Sequence, residues 1–136
     1  PYSIYYQRLA SDFLNSSKIF IIGYSFGDIH FNRLLRSFLY TNNENKVYVV
    51  DKYDSVVTMI DEYEDSSNII TKIYDTFKPD WYIIFNNELS QKSPHNQREV
   101  NKINQEGYGE IFDRIVFYKK GYDQFLNEFH KVLSEY

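Results

Sequence analysis

The stretch Lys18-Ile19-Phe20-Ile21-Ile22-Gly23-Tyr24-Ser25-Phe26-Gly27-Asp28 constrains the fold more than any other part of the chain. After Lys18 it opens with an apolar run rich in β-branched residues, the pattern of a strand buried on both faces. Two glycines then turn the chain. Asp28, a good N-cap, precedes Phe31, Leu34, Leu35, Phe38 and Leu39, which fall on one stripe at helical spacing. Strand, tight turn and helix in that order bring backbone N–H groups and a helix N-terminus to the carboxyl end of a strand. Such a corner suits a phosphate, an oxyanion or an exposed nucleophile.

The flanking segments extend the same alternation. Ser3 to Asn15 carries Ile4, Tyr5, Leu9, Phe13 and Leu14 on a helical stripe. Lys46 to Asp51 is a second buried-type strand, and it ends in an acid. Asp54 caps a predicted helix with Val56, Val57, Ile60 and Tyr63 inward. Asn68 to Tyr74 is β-branched and is expected to be a third strand. Helices alternating with buried strands predict an α/β fold: a Rossmann-like parallel sheet with helices on both faces. Phe77 to Phe85, interrupted by Pro79, is open between strand and helix. Asn86 to Gly109 is rich in Asn, Gln, Ser, Lys and Glu, and reads as a polar surface excursion over about 86–110 with a short helix at Arg98 to Gln105. Asp113 to Tyr118 returns as a strand. Gly121 then makes a second strand-to-helix turn, and Tyr122, Phe125, Leu126, Phe129, Val132 and Leu133 form a last apolar stripe. Residues 1–136 are expected to form one domain.

Composition narrows the function. The chain has 136 residues, 43% of them hydrophobic, which is enough for one core and argues against disorder. A net charge of −4 gives no electrostatic case for nucleic acid or for an anionic membrane. No apolar run approaches the ~20 residues of a membrane helix. The absence of cysteine excludes disulfides, thiolate zinc sites and a cysteine nucleophile, and fits a cytoplasmic setting. With only three scattered histidines, no metal site is expected. The chain begins at Pro1 and its only methionine is Met59, so it reads as a piece of a longer polypeptide, cut upstream.

Gly23-Tyr24-Ser25-Phe26-Gly27 has the form G-x-S-x-G, the nucleophile elbow of α/β-hydrolases when it lies between strand and helix. Ser25 is then the nucleophile, and the N–H of Phe26 an oxyanion donor. The later histidines fit this poorly. His95 sits in the polar excursion, and His130 lies on the last helix, where a loop position is normal. The helix start, Asp28-Ile29-His30-Phe31-Asn32, is also bulky for an elbow. Plainer roles stand beside the functional ones. Ser25 is an ordinary turn residue, Asp51 a solvated loop acid, and Asp28 a helix cap whatever the function.

The longer pattern is more specific. Gly23-Tyr24-Ser25-Phe26-Gly27-Asp28 with His30 and Asn32, the acid-ended strand Val47 to Asp51, and the element Asp113 to Tyr122 together resemble the sirtuin-like (silent-information-regulator-like) domains of bacterial anti-phage and abortive-infection proteins. The resemblance implies a sheet that binds NAD. It puts Gly23, Tyr24 and Ser25 near the phosphates and the adenosine ribose. Asp51 is placed at a ribose hydroxyl, while Lys52, Gly121 and Tyr122 border the adenine; Asp28 and Asn32 hold the turn together. Active members hydrolyse NAD, cleaving nicotinamide from ADP-ribose. Their glycine-rich phosphate loop and their catalytic asparagine and histidine precede the matched segment. The chain therefore corresponds to the C-terminal half of such a domain, with no catalytic residue of its own and no activity expected from it alone. The partners implied are NAD or a related nucleotide, the rest of the same polypeptide and a homo-oligomer. The alternative is a non-catalytic module for nucleotide sensing or assembly.

Overall fold

The structure, a computed structural model, describes residues 2–52, 69–77, 94–112 and 114–136. Along the chain these form α1 (Tyr2–Leu14), β1 (Lys18–Ile22), α2 (Ile29–Thr41), β2 (Lys46–Val50), α3 (Ile69–Phe77), α4 (Pro94–Glu106), β3 (Tyr108–Phe112), β4 (Ile115–Tyr118) and α5 (Tyr122–Glu135). One four-stranded sheet has the order β1-β2-β4-β3. β1, β2 and β4 are parallel, with Ile19 opposite Val47 and Val47 opposite Ile115. β3 pairs antiparallel with β4 through a tight hairpin, and its register shifts between Glu110 and Phe112. The fold is thus α/β, with a mostly parallel sheet.

Strand periodicity explains the two cores. Ile19, Ile21, Val47, Val49, Ile115 and Phe117 share one face of the sheet, where they meet Leu35, Phe38 and Leu39 of α2 and Ile69, Ile73 and Phe77 of α3. Tyr48, Val50, Val116 and Tyr118 share the other face with Tyr108, beneath Phe125 and Val132 of α5. With both faces covered, the parallel strands can be apolar throughout, and β2 is buried from Val47 to Val50.

Three expectations need correction. The strand expected over Asn68 to Tyr74 is helical over its described part, where Ile69–Phe77 forms α3. Ile69, Ile73, Thr76 and Phe77 are buried at a spacing of four, three and one, so a helical stripe outweighs the β-propensity of the isoleucines. The polar tract is more regular than a surface excursion. Within its described part α4 runs from Pro94 to Glu106, beyond the short helix expected at Arg98 to Gln105, and Tyr108 and Gly109 already belong to β3. That strand, unforeseen in the sequence, also makes the sheet mixed rather than all-parallel. Sequence readings over Asp54 to Tyr63 and over 78–93 fall outside the described residues.

Side chains pin the layers together. The Arg114 guanidinium donates to the carbonyls of Leu39 at 2.7 Å and Asn42 at 2.8 Å, placing a cation on the carbonyl end of α2. Tyr40 donates to the carbonyl of Phe77 and joins α2 to α3. On the opposite face Glu128 and Glu135 of α5 accept from Tyr118 and Tyr108.

Candidate functional site

Main-chain pairing continues past the carboxyl ends of the parallel strands and draws three remote segments together. The Gly23 N–H donates to the Val50 carbonyl at 3.0 Å. Asp51 N–H donates to Tyr118, and Gly121 N–H donates back to Asp51, each at 3.0 Å. Lys52 and Lys120 form a further antiparallel bridge. The result is a cleft of about 340 Å³ lined by Ile22, Gly23, Val50, Asp51, Lys52, Lys120, Gly121, Tyr122, Asp123 and Gln124. Crevices at the carboxyl ends of parallel strands are where open α/β sheets bind ligands.

Each wall has a local cause. Gly23 turns the chain at φ 67, and a side chain added there would meet nothing within 4 Å, so the backbone borders open space. Gly121 sits at φ 90, a conformation that L side chains resist, and this lets β4 swing directly into α5. The first turn of α5 has no side-chain cap, although the chain has just left the sheet. Tyr122, Asp123 and Gln124, the first residues of that helix, line the cleft. The Asp51 carboxylate accepts the N–H of Lys52 at 2.7 Å, which holds it at the rim. Tyr122 is half-exposed and Ile22 is close to it in exposure, giving the cleft an apolar edge. Lys120 lines the same space, but its ammonium is turned to Glu128, 2.7 Å away.

The turn between β1 and α2 is a separate knot. Asp28 caps α2, its carboxylate accepting the N–H groups of His30 at 2.9 Å and Phe31 at 3.2 Å. The Tyr24 hydroxyl donates to Asn32 Oδ1 at 2.7 Å and accepts the Asp28 N–H at 3.1 Å. Asn32 Nδ2 donates to the Phe26 carbonyl at 2.9 Å. Burial is the main reason the Tyr24 phenol is pushed above its ordinary pKa, so it stays protonated as this donor. Tyr24 thus joins Asp28 and Asn32 in bracing the turn, and its hydroxyl is spent inside it.

Of the residues singled out in the sequence, Gly23, Asp51, Lys52, Gly121 and Tyr122 line one cleft. Tyr24 and Ser25 do not line it. Ile22, Val50, Lys120, Asp123 and Gln124 complete the lining without having been foreseen. The only sequence signal for the last three was their adjacency to Gly121. Nucleophile-elbow geometry is absent, because the strained residue is Phe26 at φ 60, not Ser25, and the helix starts only at Ile29. His130 is exposed on α5, its ring against Phe129. Among the described residues no group of three or more His, Asp or Glu side chains is placed to hold a metal ion, and no helix is long and apolar enough to cross a membrane.

The donor set suits a nucleotide. It offers the Asp51 carboxylate for hydroxyl donors, the start of a helix without a side-chain cap, a close glycine backbone and an aromatic edge, with Asp123 beside them. The volume of the cleft lies at the lower end of the range of small-molecule sites. No curated protein and no solved structure matches the chain. A family model described as the SIR2-like domain matches residues 2–72, which include Gly23, Asp51 and Lys52, and the chain belongs to that family.

Proposed function

We propose that the cleft at the ends of β1, β2 and β4 is the adenosine side of an NAD site, and that the full-length protein hydrolyses NAD in bacterial anti-phage defence. One observation carries the reading. Residues 23, 51–52 and 121–122, far apart in sequence, meet in a single cleft at the carboxyl end of a parallel sheet, in a chain of the SIR2-like family. Asp51 accepts a ribose hydroxyl, the leading N–H groups of α5 face a phosphate, and Tyr122 and Ile22 flank the base. NAD supplies the nicotinamide–ribose bond that is broken. The groups that break it belong to the rest of the polypeptide, as the family resemblance implies, and no residue of this chain is assigned to that step.

Asp51→Ala tests the binding half. Loss of a charged acceptor costs about 1.5–3 kcal/mol, or roughly 10- to 100-fold in affinity for ADP-ribose by calorimetry. Unchanged affinity would remove Asp51 from the site. The hydrolytic half is tested by nicotinamide release from NAD by the full-length protein. Tight binding with no release would leave the cleft a nucleotide sensor instead.

A further inference from the structure

Gly121 is the one residue between Lys120 and α5, and its φ of 90 makes it a pivot. Tyr122, Asp123 and Gln124, which line the cleft, stand directly beyond it. A glycine pivot alone leaves the start of a helix loosely aimed, because rotation costs a glycine little. The side chain of Lys120 spans this pivot. Its backbone is bridged to Lys52 on the sheet side, while its ammonium lies 2.7 Å from the carboxylate of Glu128, in the second turn of α5.

The path of that side chain is built into the fold. Gly107, between α4 and β3, has a φ of 90, and a Cβ added there would stand 2.6 Å from both Cγ and Cε of Lys120. The lysine stem thus runs through space that any other residue at this position would fill. The ammonium ends 5.5 Å from the centroid of the Tyr118 ring and 5.9 Å from that of Tyr108, within reach of cation–π attraction. The Tyr118 hydroxyl donates to the same Glu128 carboxylate at 2.6 Å, so each partner of the ion pair is held from a second side. An ion pair with such added contacts is stiffer than a bare surface pair.

We propose that Lys120 is a positioning residue of the cleft: through Glu128 it fixes the angle at which α5 leaves Gly121, and so where Tyr122, Asp123 and Gln124 meet the nucleotide. The proposal rests on the nucleotide reading of the cleft. The Lys120 ammonium, engaged by Glu128, is not offered to the ligand. A site held by a brace of this kind loses affinity when the brace is cut, although every contacting side chain remains.

Calorimetry of the chain with ADP-ribose, paired with amide NMR of the free form, tests it. Lys120→Met keeps most of the stem and removes the ammonium, and Glu128→Gln keeps the size of the partner and removes its charge. Each is expected to weaken ADP-ribose binding roughly 3- to 10-fold, and to shift the amides of Tyr122, Asp123 and Gln124 before ligand is added. Lys102→Met is the control. It cuts the ion pair to Glu135 at the far end of α5, outside the cleft lining. It is expected to lower stability in denaturant unfolding and to leave affinity and those amides unchanged. Binding by the parent with affinity unchanged in both Lys120→Met and Glu128→Gln overturns the proposal and leaves the nucleotide reading intact. An equal loss in Lys102→Met also overturns it, by tying affinity to stability alone. Absence of binding by the parent overturns the nucleotide reading, and the proposal with it.

Discussion

Asp28 and Tyr48 show how differently two polar side chains can serve the same fold. Asp28 satisfies two N–H groups at the start of α2. Asp28→Ala is expected to lower stability by about 1 kcal/mol in denaturant unfolding, the usual cost of losing a cap. The Tyr48 hydroxyl is buried and has no hydrogen-bond partner among the described residues, while its ring stacks on Phe20 at 4.8 Å. Burial, with Glu110 nearby, pushes its pKa up, as expected of a phenol kept from water. Tyr48→Phe retains the stack and removes the stranded group, so it is expected to raise stability by up to about 1 kcal/mol. A lower unfolding midpoint for that variant would mean that the hydroxyl is satisfied. At this scale the cap was legible in the sequence, because Asp28 directly precedes a helical stripe. The role of Tyr24 was not. A tyrosine beside a glycine turn reads as a ligand contact, and only the three-dimensional path of the turn brings its hydroxyl to Asn32.

Elements were legible where period and composition agree. β1, α2, β2 and α5 follow directly from their apolar patterns. α3 was misread because isoleucine and threonine favour strands, while the buried positions are set by a helical stripe. β3 was hidden by Gly109 and by the polar residues before it. The way α5 is fastened could not be read at all, since its partners are remote. Glu128 accepts from Tyr118 and pairs with Lys120, and Glu135 accepts from Tyr108 and pairs with Lys102. The bond from Lys120, then that from Tyr118, holds the Glu128 carboxyl below its ordinary pKa, and the bond from Lys102 does the same for Glu135. A carboxyl depressed in the folded state stabilises the fold above its unfolded pKa, and that contribution is lost as pH falls through the folded value. The unfolding midpoint is therefore expected to drop below about pH 4.3, with a shallower drop in the Glu128→Gln, Glu135→Gln double variant. An acid slope identical to that of the parent would show that the two pairs do not fasten α5.

Over the whole molecule, the parallel pairing of β1 with β2 was readable from two apolar strands separated by one helix. Convergence of Gly23, Asp51 and Gly121 then follows from the order β1-β2-β4, which puts three strand ends side by side. The mixed edge at β3 and the path of Lys120 past Gly107 depend on long-range packing that no local pattern encodes. The central claim is that those strand ends form a nucleotide cleft, and amide NMR of this chain titrated with ADP-ribose tests it most directly. Saturable shifts centred on Gly23, Asp51, Lys52, Gly121 and Tyr122 are predicted, and they are lost in Asp51→Ala. Saturable shifts elsewhere with these residues unmoved, or no shifts at all, would contradict the account.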